Sequence, residues 1–234
     1  MAAAAPDGPG LDPRHDRPHP DAGVEEWAFT AWVPDGSLGV VSAHRRIGRS
    51  GWYWSAVVRD GHPLLHVTEW EVPLRADSPD VLKAHGLWAE HVCVAPIEQW
   101  TVANECAAAA LDDPDEALGR GYGAPTGLAL DLEWYATQPP VVLPASEGVG
   151  FRQDGVVHGL IETADGPLHL TEAPGRRWRR WGTALGALTL PDAYAHTGLR
   201  APFAFPDGTV ADWVLTPDGF RARRDPPPPT PTRR

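Results

Sequence analysis

The chain has 234 residues, 42% of them hydrophobic, and a formal net charge of −11. That length holds one large domain or two small ones, and the negative charge argues against nucleic acid or an anionic membrane as a partner. No apolar run reaches the length of a membrane span, and the two cysteines, Cys93 and Cys106, are too few for a disulfide framework.

Residues 1–23 are rich in Pro, Asp and Gly and lack periodicity, so a disordered segment is expected there, with His15 and His19 solvated. The segment has no basic stretch followed by an apolar core, which is unlike a secretory signal, and a cytoplasmic location is expected. From Glu25 the texture changes to short apolar runs divided by turn residues. EEWAFTAWV alternates Trp27, Phe29, Ala31 and Val33 on one face, and PDGS at 34–37 is turn chemistry. LGVVSAHRRI, WYWSAVVRD and PLLHVTEWEV follow, the last two joined by an Asp-Gly hairpin signal at 60–61. Trp52, Trp54, Ala56 and Val58 share one face, and so do Leu64, His66, Thr68 and Trp70. A short helical turn is expected at Pro79 to Ala84.

GLWAEHVCVA and EQWTVANECAAAAL then read as two neighbouring strands around a corner at Pro96. LDDPDEALGRGYGAPTG, 111–127, is a long acidic, Gly-rich loop of the kind that forms lids. GLALDLEWYAT carries the apolar face Leu128, Leu130, Leu132, Trp134. VGFRQDGVVHGLIETADGPLHLTEA, with Asp-Gly at 154–155 and 165–166, reads as a three-stranded meander. GTALGALTL has strand character, two Pro-Asp-Gly turns follow, and the tail 225–234 is polyproline-like. About eleven to thirteen short strands and almost no helical periodicity imply an all-β antiparallel barrel or sandwich, closed to remove its edges. One domain is expected over 24–224, between disordered ends. The Ala-, Gly-, Pro- and Arg-rich usage, with almost no Lys, fits a high-GC bacterial genome.

The order of five segments resembles a lipocalin-like (calycin) group. They are EEWAFTAWVPDG (25–36), GLWAEHVCVAPIEQWTV (86–102), GLALDLEWYAT (127–137), FRQDGVVHGLIE (151–162) and APGRRWRRWG (173–182). That group includes carotenoid 1,2-hydratase, tocopherol cyclase-like proteins and lipocalin-fold Diels–Alderases. The resemblance implies a lipocalin-like β-barrel around a small hydrophobic ligand. It also implies a cofactor-independent cyclase or isomerase, Diels–Alderase-like, or a hydratase, acting on a hydrophobic natural-product intermediate. A non-catalytic carrier of the same kind of ligand is the alternative, and a homodimer is left open. Relatives carry an Asp-His pair near the last part of the barrel. Here the place reads Arg177, Trp178, Arg179, Arg180, Trp181, Gly182, so no role of that pair carries over.

The eleven tryptophans suit either a β-core or the walls of a ligand cavity. Glu90 shares a face with Trp88 and Val92, where apolar neighbours raise a carboxyl pKa as a general acid needs; pairing with Arg45, Arg46 or Arg152 is the other reading. Alternation allows only one of Glu90 and His91 to line the cavity, and Glu90 is expected there. Asn104 shares a face with Trp100 and Cys106 and can polarise a ligand carbonyl, or satisfy backbone groups. The remaining wall candidates are Trp54, His66, Trp70, Trp88, Trp100, Trp134, His158 and, from the loop, Tyr122. Arg176, Arg177, Arg179 and Arg180 offer binding of a ligand carboxylate or phosphate, or stacking on Trp178 and Trp181. No nucleophile motif, metal spacing or phosphate-binding fingerprint appears, so neither a metal nor a cofactor is expected.

Overall fold

Fourteen strands, all paired antiparallel, run through the residues that the computed structural model describes: 11–19, 21–75, 80–185 and 199–225. They are β1 (Val24–Trp32), β2 (Leu38–Ile47), β3 (Ser50–Arg59), β4 (Leu64–Pro73), β5 (Val81–Ala84), β6 (Leu87–Ala95), β7 (Gln99–Leu111), β8 (Ala124–Ala136), β9 (Val141–Val142), β10 (Val149–Thr163), β11 (Gly166–Gly182), β12 (Arg200–Ala204), β13 (Val210–Thr216) and β14 (Gly219–Asp225). The order β4-β3-β2-β1-β11-β10-β8-β7 closes on itself through Leu64↔Leu111, Leu65↔Ala110 and His66↔Ala109. The protein is therefore an all-β antiparallel barrel with little helix, as the turn spacing implied. Closure pairs the outer sides of β4 and β7 with each other along this stretch.

The two ends of the barrel differ. At the mouth, where the β1–β2, β3–β4 and β10–β11 turns lie, β4 pairs β7 directly. Towards the base the two strands part, and the β5–β6 hairpin enters beside β7. Residues 81–84, expected as a helical turn, are strand β5. A 3₁₀ turn, Pro13–Asp16, covers the base, with Asp16 only 1% exposed. Part of the N-terminal segment expected to be disordered is thus ordered: Arg179 donates to the carbonyls of His15 and Arg17, and His15 and His19 stack on Trp181. Residues 1–10 and the tail 226–234 lie outside the described residues, as do 186–190 of GTALGALTL.

β12–β14 do not enter the barrel. They form a second sheet whose Phe203, Trp213 and Phe220 pack on the outer wall, on Trp32, Trp54, Val41 and Trp178. Each such ring removes apolar area from water worth about 1.5–3 kcal/mol. Gly39 makes room for this packing, because a Cβ there would lie 2.4 Å from the Phe220 ring. The outer sheet also explains why β1 is buried along its whole length, on both faces.

One turn signal misleads. Asp154-Gly155 lies inside β10, which runs unbroken and leaves a two-stranded β10–β11 hairpin instead of a meander. Gly155 serves a close approach: a Cβ there would sit 2.5 Å from the Trp134 ring and 2.4 Å from the Tyr135 carbonyl. The other Asp-Gly pairs among the described residues make turns, with φ of 75° at Gly36, 70° at Gly61, 117° at Gly166, 81° at Gly208 and 98° at Gly219.

Candidate functional site

Cross-strand partners in a sheet share a face. In β6–β7 the register pairs Cys93 with Trp100, His91 with Val102 and Ala89 with Asn104. Trp100, Val102 and Asn104 point into the lumen, so Ala89, His91 and Cys93 do too, and Trp88 and Glu90 cannot. This corrects the expected orientation: Glu90 and Trp88 are half-buried on the outer face, and His91, 1% exposed, is inside. The apolar character of Trp88 and Val92 suggested an inward face, but the opposite strand decides the matter.

His91 completes a buried polar chain. On β2 the lumen face reads Val40, Ser42, His44, and on β3 it reads Val57, Ser55, Tyr53. His44 Nδ1 lies 2.7 Å from His91 Nδ1, and His91 Nε2 lies 2.9 Å from Ser42 Oγ. Ser42 Oγ is 3.1 Å from Tyr53 Oη, which accepts from Asn104 Nδ2 at 2.6 Å. Asn104 Oδ1 has no hydrogen-bond partner among the described residues. With this amide orientation each group donates to the next in the order Asn104, Tyr53, Ser42, His91, and His44 Nδ1 is the final acceptor; reversing the amide reverses the chain. Burial makes every charged form costly here. It lowers the His91 pKa to about 3, lowers that of His44 well below its usual value with help from the neighbouring His91, and pushes Tyr53 up to about 12. With both pKa values lowered by burial, the two imidazoles are neutral near pH 7, and across the 2.7 Å contact one Nδ1 donates and the other accepts.

The lumen around this chain is well filled. The void that Phe29, Ser42, Val102, Leu132 and Trp134 enclose is about 10 Å³, room for about one water. Trp100 and Trp134 are lumen residues, as expected. Trp54 and Trp70 are not: both lie outside the barrel against Phe205, at 5.0 and 5.4 Å between ring centroids. His66 faces outward as well, with Nε2 3.1 Å from the Pro202 carbonyl and its ring stacked on Phe203; burial lowers its pKa to about 4. His158 is half-buried beside Tyr135 on the outer surface, and Tyr122 is 74% exposed. The expected wall is therefore split between the inside and the outside of the barrel.

Two further concave surfaces lie among the described residues. At the mouth a cup of about 260 Å³ has an apolar wall of Val57, Leu65, Ala110, Pro125 and Leu168. Arg59, His62 and Asp165 stand at its rim, the Arg59 guanidinium bonded to both of the others. None of the residues singled out in the sequence lines it. A wider groove of about 430 Å³ follows the seam where β4 and β7 part, between Trp70, Ala107, Ala109 and the Gly119–Gly123 loop. Cys106 is buried, its thiol pushed up to about 12 by burial, and Cys93 is half-buried; both are free thiols. Among the described residues no group of three or more His, Cys, Asp or Glu is placed to hold a metal ion. None of their helices is long and apolar enough to cross a membrane.

The arginine run is neutralised by carboxylates of the chain itself. Arg176 pairs with Asp154, Arg177 with Asp16, Arg179 with Glu25 and Arg180 with Glu26. Stacking also occurs, but mainly on other rings than expected: Arg179 lies 3.8 Å from the Trp27 centroid and 5.2 Å from that of Trp181.

No family model matches the sequence, and no curated protein matches it. Among solved structures, the crystal structure of a protein provisionally named AttH, from Nitrosomonas europaea, aligns with a TM-score of 0.48 at 13% identity, over 97% of this chain and 75% of that chain.

Proposed function

We propose that the mouth of the barrel binds a small, largely apolar ligand and that the protein is a carrier or sequestering protein for it. The observation that carries this reading is the 260 Å³ cup, with an apolar wall and a single cation, Arg59, at its rim. Barrel mouths are preferred places for such sites, and this one suits a ligand below ordinary drug size. The chemistry favours an apolar body with one anionic or acceptor group, which would share Arg59 with Asp165 and His62. The lipocalin-like resemblance of the five sequence segments points the same way.

The test uses 1-anilinonaphthalene-8-sulfonate, whose rings and sulfonate match that description. Saturable fluorescence enhancement is expected with the native protein and should be lost in Ala110→Trp, which fills the cup. Equal binding by the two proteins would refute the proposal.

A second reading, cofactor-free cyclisation or isomerisation of an apolar natural-product intermediate, draws support from the chain linking Asn104 to His44. Such a chain can relay a proton without creating a buried ion pair. This reading requires the filled lumen to open, and Glu90 would have no part in it. Turnover of a polyene precursor that survives Glu90→Gln and is lost in Asn104→Ala is its expected signature; loss in Glu90→Gln alone would sink it.

A further inference from the structure

The base of the barrel holds a carboxylate in a setting that the barrel builds without help from the segment that supplies it. The carboxylate is Asp16. Its Oδ1 accepts from Arg177 Nη1 at 2.6 Å, and its Oδ2 accepts from Arg177 Nη2 at 2.9 Å, from the Ile97 backbone N–H at 2.5 Å and from the Trp100 indole N–H at 3.4 Å. Arg177 is 1% exposed, and its guanidinium lies 4.9 Å from the Trp134 ring centroid and 5.0 Å from that of Phe151. Gln153 fixes the fork: its Oε1 accepts from Arg177 Nε and Nη2 at 3.0 and 2.7 Å. The Gln153 amide in turn donates to the Ile97 and Gln138 carbonyls at 2.9 and 3.0 Å. Ile97 itself is held at φ 67°, a left-handed conformation that a β-branched residue rarely adopts, at the β6–β7 corner.

Every donor to Asp16 belongs to the barrel or its hairpin corner: Arg177 to β11, Trp100 to β7 and Ile97 to the β6–β7 corner, and the Gln153 that holds Arg177 belongs to β10. The acceptor alone comes from outside, on a 3₁₀ turn that can leave without breaking a strand ladder. A bidentate arginine with two further N–H donors and aromatic walls is a general receptor for a carboxylate. We infer that the Arg177 site is a binding site for a free monocarboxylate, and that Asp16 is its internal occupant. The ligand class is a small carboxylic acid whose apolar tail takes the space of the Pro13–Asp16 turn. The site lies at the opposite end of the barrel from the cup, so either proposal can fail while the other stands.

Asp16 is tethered, so in the native protein free acids must overcome an effective concentration on the order of millimolar. Removing the tethered carboxylate exposes the receptor and leaves Arg177 buried without its counter-charge, which lowers stability. The experiment is therefore a rescue, on the full chain carrying Asp16→Ala, with thermal unfolding followed by tryptophan fluorescence. Sodium butyrate is compared with sodium chloride and with butyramide, its neutral counterpart. Butyrate should raise Tm progressively with concentration, as a ligand of the folded state does, while chloride and butyramide should not. The native protein should respond less, and the double variant Asp16→Ala/Arg177→Met should not respond at all. Asp16→Asn, which keeps the shape of the turn, gives the same comparison if Asp16→Ala folds only when butyrate is present, a result that would itself support the site. Butyrate acting no better than chloride on both single variants, or rescue that persists without Arg177, overturns the proposal.

Discussion

Replacing His91 by Gln should flatten the acid side of the stability curve. Burial lowers the His91 pKa from 6.5 to about 3, so it is neutral in the folded barrel, whereas the unfolded chain takes up its proton near 6.5. Between those values the unfolded state binds more protons, and stability falls as the pH falls. The contribution is complete above about pH 6.5 and is lost progressively down to about pH 3, where the folded residue itself protonates. A displacement of about 3.5 units corresponds to about 5 kcal/mol over the whole range, and to about 3 kcal/mol by pH 4.5. His44 works in the same direction, its pKa lowered first by burial, then by His91 and by the nearby Arg46 and Arg179. The assay is urea unfolding of the native protein and His91→Gln at about pH 7.5 and about pH 4.5, followed by tryptophan fluorescence. The loss between the two pH values should be smaller in the variant by about 3 kcal/mol, because Gln keeps an amide near Ser42 and His44 but cannot titrate. An equal loss in both proteins would mean that His91 is not the neutral buried group described above.

Two further outcomes follow from packing. Gly155→Ala places a Cβ 2.5 Å from the Trp134 ring and should destabilise by about 1–3 kcal/mol, read as a lower urea midpoint; an unchanged midpoint would deny the close approach. Trp213→Ala removes a side chain only 1% exposed from between the outer sheet and the barrel, at a cost of about 3–5 kcal/mol. Hydrogen exchange should then speed up in β12–β14 before it does in β7 and β8, and uniform acceleration would argue against a separable outer layer.

Part of the lumen was readable in advance. Trp100 and Trp134 lie inside, and Asn104 takes part in a buried polar chain; each sits in a run whose other face is visibly polar, such as Asp131 and Glu133 beside Trp134. Ser42 and His44 on β2, Tyr53 on β3 and His91 on β6 do not read as a group in the sequence because they come from three strands, and only the β2–β3 register and the β6–β7 register bring them together. The alternation Val40, Ser42, His44 was the available signal. Asp16 was hidden more deeply, in a Pro- and Gly-rich segment with no periodicity at all.

The sequence by itself determined the class of structure. Period-two apolar runs closed by Pro-Asp-Gly and Asp-Gly turns permit little other than an antiparallel barrel or sandwich, because each such strand must bury one face against others. What it left open was which face points inward. Alternation divides a strand into two faces but does not say which one the core takes, and in β1 and β3 both faces are buried because a second sheet covers the outside. That sheet turned Trp54 and Trp70 into mortar between layers, while strand register took Glu90 out of the lumen and put His91 in. The pairing of Asp16 with Arg177 was likewise decided only in three dimensions, since it joins residues 161 positions apart and no local preference encodes it.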